Sequence, residues 1–186
     1  MNTITWCFSV LILATAQQLT DATYSSADFV NVSVSLCIGS SIDVDVTVKL
    51  PDAGSLFDHM DKSKPVAIVI CELGSGLTSE SILKIKDGYQ KRGDHNVVLM
   101  DMSAVGTNVL DVNAFVSGLG REMAVHVEAW LKAGLLPANV HIVGFAHGYY
   151  VAVSVCANLP HKIAAFIGLD ALGPSLGISV ELFPSR

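Results

Sequence analysis

Between positions 42 and 50 the chain alternates. Ile42, Val44, Val46, Val48 and Leu50 are apolar, while Asp43, Asp45, Thr47 and Lys49 are polar. A period of two places each set on its own side of an extended chain, so this spacing predicts a strand with one wet face. Residues 29–37 read as its partner, with Gly39, Ser40 and Ser41 as the turn. An antiparallel hairpin is therefore expected at one edge of a sheet.

Beyond Pro65 the pattern changes. Residues 66–71, 96–100, 140–143 and 163–169 are short, continuous apolar runs. Runs without a wet side predict strands buried on both faces, as in a parallel sheet. Between them lie segments of helical spacing. In residues 79–91, Ile82, Ile85 and Tyr89 share a face, and Gly93 marks the end. Residues 109–133 carry the stripe Val112, Phe115, Val116, Leu119 and Met123, with Trp130 as a further core position. Residues 148–158 are apolar nearly all round and predict a buried helix. Alternating strands and helices imply a mostly parallel sheet with crossover helices.

Composition narrows the class. Of 186 residues, 51% are hydrophobic and 15% charged, which excludes a disordered chain. The net charge of −6, with scattered Lys and Arg, argues against nucleic acid or an anionic membrane as partner. No later segment is long and apolar enough for a transmembrane span.

The amino terminus reads as a signal peptide, residues 1–16. An apolar run from Cys7 to Ala14 precedes Ala14-Thr15-Ala16, a small-x-small cleavage pattern. The mature chain, 17–186, is then a secreted, extracellular single domain. Cys37, Cys71 and Cys156 remain in it, so at most one internal bridge is expected. Asn31-Val32-Ser33 is a glycosylation sequon, with Asn31 as acceptor.

The chemistry concentrates at Gly144-Phe145-Ala146-His147-Gly148. A buried strand runs into Gly-x-Ala-x-Gly and then into a helix. A nucleophile elbow has this form, because its strained centre leaves no room for bulk at the flanking Gly144 and Gly148. In a hydrolase the centre is Ser. Ala146 has no side-chain oxygen.

With those residues in place, residues 65–174 resemble the animal pancreatic-type lipase family, which includes phospholipases A1 and insect yolk proteins. Residues 139–143 are similar to that family's approach to its elbow. Gly168-Leu169-Asp170-Ala171-Leu172-Gly173-Pro174 is similar to its Gly-Leu-Asp-Pro-Ala-Gly-Pro, at matching spacing from the elbow. Residues 96–101 resemble its strand ending in Asp, with Met102 where the family has Trp. The resemblance implies an α/β-hydrolase-like fold whose C-terminal part is absent, since the family's catalytic His lies beyond Arg186. It implies Asp170 as a degenerate triad acid and Ala146 in the nucleophile's place. It puts Cys71-Glu72-Leu73 where the family has His-Gly-Phe, making Leu73 and His147 oxyanion-hole-like positions. A carboxylate at Glu72 would repel a developing oxyanion.

Other candidates read as structural. His147 is expected to cap or pack its helix, Ser154 to face the core, and Cys156 to act as a small hydrophobe. His59, His95, His126 and His161 are placed in loops or on helix surfaces. No metal and no cofactor is expected. The leading reading is a secreted, non-catalytic lipase homologue that binds a lipid or other hydrophobic ligand or a protein partner, or serves as storage. The alternatives are an active lipase or phospholipase A1, which needs a nucleophile, and a decayed gene fragment.

Overall fold

The computed structural model describes residues 24–38, 44–105 and 112–170. Within them six strands form one mixed sheet: β1 (Ser33–Cys37), β2 (Val46–Lys49), β3 (Val66–Ile70), β4 (Asn96–Asp101), β5 (Val140–Phe145) and β6 (Ala165–Leu169). Their order is β2-β1-β4-β3-β5-β6. Strands β3 to β6 run parallel, and β1 is antiparallel to both β2 and β4. Helices α1 (Glu80–Arg92), α2 (Val112–Lys132) and α3 (Gly148–Asn158) connect the parallel strands. The architecture is the mostly parallel one that the apolar runs predict, with the antiparallel pair at one edge.

The continuous apolar runs have a simple cause: both faces of the central strands are covered. Val69, Cys71, Val97, Leu99 and Val143 point to one side, where Ile82 of α1 packs on them. Val66, Ile68, Ile70, Val98, Met100, Val140 and Ile142 point to the other, against α2 and α3. Helix α1 ends at Gly93, whose φ of +68° suits glycine and whose N–H donates to the carbonyl of Gln90. Trp130 is fully buried, and its indole N–H donates to the carbonyl of Gly54 at 3.1 Å. Helices α2 and α3 approach closely at Gly120, where an added Cβ would lie 2.3 Å from that of Ser154. The Ser154 hydroxyl donates to the Ser117 carbonyl at 2.8 Å, which settles its structural place.

Several expected boundaries shift. Phe29 belongs to a short 3₁₀ turn, Ser26–Phe29, and β1 starts only at Ser33. Leu50 ends no strand but opens a 3₁₀ segment, Leu50–His59. Pro51 has no N–H to continue a ladder, and Leu50, Ala53, Leu56 and Phe57 recur at turn spacing to bury against the core. Strand β6 starts at Ala165 and is not a buried strand. It is the last strand of the described sheet, and Ile167 and Leu169 are 38% and 37% exposed. On α2 the buried positions start at Ala114 and Phe115, since Val112 at the first turn is exposed. The expected turn at 39–41, helix residues 109–111 and signal peptide lie outside the described residues. No described helix is long and apolar enough to cross a membrane.

Candidate functional site

Strand β5 lies between β3 and β6, and its carboxyl end passes directly into α3. Phe145 closes the strand, Ala146 and His147 make the turn, and Gly148 opens the helix. Ala146 has a φ of +49°, in the left-handed region. That conformation costs a non-glycine residue about 1–2 kcal/mol. Hydrogen bonds hold it there. The Ala146 N–H donates to the carbonyl of Leu169 at 3.0 Å, and its carbonyl accepts from the Tyr149 N–H at 3.1 Å.

Close packing fixes the neighbouring glycines. A Cβ at Gly144 would meet Tyr149 Cα at 2.5 Å, and one at Gly148 would meet the Ile70 carbonyl oxygen at 2.3 Å. At Gly168 it would sit 2.6 Å from the Tyr149 ring. Strands β3, β5 and β6 and helix α3 thus converge on this turn with no space for side chains at those positions.

Asp170 stands beside it. Phe145 pairs with Leu169 in the β5–β6 register, so Ala146 and Asp170 leave neighbouring strands together. Asp170 also has a left-handed φ, +48°, and is exposed. Glu72 follows β3 on the other side. Its carboxylate lies 3.5 Å from Nδ1 of His147, with both side chains 37% exposed. The pair attracts as charges when His147 is protonated, but Nδ1 has no hydrogen-bond partner. The Glu72–Ser75 segment is a tight turn, with the Ser75 N–H donating to the Glu72 carbonyl at 3.0 Å and Gly74 at φ +76°. The Leu73 side chain packs against the main core cluster. Ala146, His147, Glu72, Leu73 and Asp170 are therefore gathered at the carboxyl ends of three adjacent strands.

That arrangement offers little to acyl-transfer chemistry. A triad needs an oxygen or sulfur nucleophile at the elbow centre, and Ala146 offers a methyl group that is itself buried. The Glu72 carboxylate beside His147 opposes negative charge developing near the turn. The thiols offer no substitute. Cys37, Cys71 and Cys156 are all free. Burial raises the pKa of each, to about 12 for Cys71 and for Cys156. Two recesses, of about 240 and 300 Å³, lie elsewhere; the first is bounded by Val66, Asn96 and Asn139 at the amino ends of the strands.

His95 lies in a loop, as expected, but is buried, 3% exposed, and His126 is 8% exposed rather than on a helix surface. His95 tucks under α1 against Tyr89, and His126 faces inward on α2, toward Gly54. Desolvation lowers the pKa of His126, and Glu122 at 3.5 Å partly offsets this. His59 and His161 are exposed, as is the sequon residue Asn31. His141 is a polar residue inside an otherwise apolar strand, a signal present in the sequence.

No family model matches the chain, and no curated protein matches it. Among solved structures it is similar to the crystal structure of MGS-M1, described as an alpha/beta hydrolase enzyme from a Medee basin deep-sea metagenome library. The identity is 19% and the TM-score 0.36, over 75% of this chain. This chain spans 57% of that one, a little over half its length. A likeness so loose adds no weight of its own. The α/β-hydrolase-like fold rests on the six-stranded mixed sheet, the helices on both its faces, and the strand-to-helix turn at Ala146.

Proposed function

We propose that this chain is a secreted, catalytically silent relative of the lipase-type α/β hydrolases, acting by binding an apolar ligand or a protein partner. The observation that carries the reading is Ala146: it occupies a strained, glycine-flanked turn between β5 and α3 with no reactive atom. A triad hydrolase without its nucleophile keeps only the residual rate its other groups provide, several orders of magnitude below normal. Here Glu72 weakens that remainder. In the same reading Asp170 is a leftover triad acid, and Leu73 and His147 stand where an oxyanion hole would be.

The binding role draws support from apolar surface at Ile167 and Leu169, on the strand beside the elbow. The secreted location is supported by the apolar run and small-x-small pattern of residues 7–16, and Asn31 would then be open to glycosylation. The test is turnover of short-chain nitrophenyl esters, triglyceride and phospholipid by protein secreted from animal cells. The expected result is no hydrolysis above a heat-treated control, from a product whose sequence starts near Gln17. Hydrolysis that scales with protein through purification would favour a working lipase or phospholipase A1 instead.

A further inference from the structure

At the other end of β5, on the face covered by α1, three polar rings pack together. His141 comes from β5, Tyr89 from α1, and His95 from the turn between α1 and β4. The ring centres of His95 and His141 are 4.9 Å apart, and Tyr89 lies 5.0 Å from His95 and 6.2 Å from His141. His95 is almost wholly buried. Its Nδ1 lies 2.5 Å from the Asp94 carboxylate, which Arg92 also engages at 3.1 Å. A carboxylate only accepts, so Nδ1 carries a proton, and in the neutral tautomer Nε2 is the nitrogen free to ligate. That Nε2 is buried and has no hydrogen-bond partner. Leaving such a group unsatisfied costs about 1–3 kcal/mol.

We propose that His95 and His141 together bind one divalent transition-metal ion of the zinc class, with Tyr89 at the rim of the site. Three observations converge on it. A carboxylate on the far nitrogen of an imidazole is the arrangement that orients metal-ligating histidines. Two imidazoles on one tetrahedral ion, each with a metal–nitrogen bond of about 2.0–2.1 Å, have ring centres roughly 5 Å apart, close to the spacing here. Half-buried His141 and Tyr89 leave the ion a path from solvent. Nitrogen ligands select zinc, copper or nickel over calcium or magnesium. No three-residue His, Cys, Asp or Glu ligand cluster exists among the described residues. The site therefore has two protein ligands and leaves its remaining positions to water, which makes it weaker than a structural zinc site.

The test is calorimetric titration of the metal-stripped full chain with zinc ions. One ion per chain is expected. His95→Gln and His141→Gln should each weaken binding at least about tenfold, as should Asp94→Asn through loss of the orienting carboxylate. His161→Gln, on the surface, should leave it unchanged. Electron paramagnetic resonance of the unaltered chain loaded with one copper(II) ion needs no variant, and it should show coupling to two imidazole nitrogens. Absent zinc binding, binding that survives both His95→Gln and His141→Gln, or a copper spectrum without two imidazole nitrogens would overturn the proposal.

Discussion

The two ends of β5 follow opposite plans. At the carboxyl end the backbone is strained and its surroundings are packed without slack, yet the central side chain is a methyl group. At the amino end polar rings, those of His141 and its neighbour His95, pack against each other. Gly144, Gly148 and Gly168 are fixed by carbonyl oxygens, Cα atoms and a ring that would collide with any Cβ. Those collisions are the same whether residue 146 bears a hydroxyl or not. The shape of an elbow is thus a steric property of three strands and a helix, separable from the reaction such a turn serves in an enzyme.

The largest expected effect comes from Gly148→Ala. The new Cβ would press on the main chain of β3, at Ile70 and Cys71, which cannot rotate aside as a side chain can. Overpacking of this kind should cost on the order of 3 kcal/mol, read as a loss of denaturant midpoint. Gly88→Ala is the contrast, since nothing lies within 4 Å of an added Cβ on α1. It should stabilise by roughly 0.5–1 kcal/mol through helix propensity. Equal effects at the two sites would show that the elbow is not tightly packed.

Ala146→Gly should relieve the left-handed strain. The gain, set against the extra entropy of a glycine in the unfolded chain, is about 0.5–1 kcal/mol in the stabilising direction. A clear destabilisation in the same melts would argue that Ala146 is not strained at its φ of +49°.

The smallest effect sharpens the comparison through pH. His126 and His141 both titrate below the usual histidine value of 6.5, chiefly because burial disfavours the charged form. The folded chain then binds fewer protons than the unfolded one as pH falls below about 6.5. Stability should be full above that value and decline on acidification toward the depressed folded values. Thermal melts between about pH 7.5 and pH 5.5 should show the decline, and His126→Gln should flatten it. Further down, Asp28, Asp61 and Asp94 act in the same direction. Their carboxyls are held below 3.8 by hydrogen bonds from Ser25, Ser63 and His95 respectively. That contribution is present above 3.8 and is lost as pH falls through the lowered values. Melts unchanged across the histidine range would contradict the burial of both imidazoles.

The central strands and the elbow were legible in sequence because their signals are local. An apolar run flanked by glycine or proline marks a strand covered on both faces, and the spacing of Gly144 and Gly148 marks a turn that excludes bulk. What was missed depends on neighbours distant in sequence. Whether residues 163–169 are covered depends on what packs beside them, and in the described sheet Ile167 and Leu169 lie at its edge. His95 is a loop residue, as its sequence context indicates, and only its packing against Tyr89 and His141 buries it. The 3₁₀ segment at Leu50–His59 was hidden because its first residue also completes the alternation of β2.

The absence of a nucleophile at the elbow is tested most directly by labelling the purified chain with a serine-directed fluorophosphonate probe. Such a probe reacts only where a serine is activated by its surroundings, so it reads the nucleophile without assuming any substrate. The expected result is no labelling above that of heat-treated protein. Stoichiometric labelling of the folded chain, abolished by heat, would contradict an elbow-shaped turn whose centre, Ala146, carries no nucleophile.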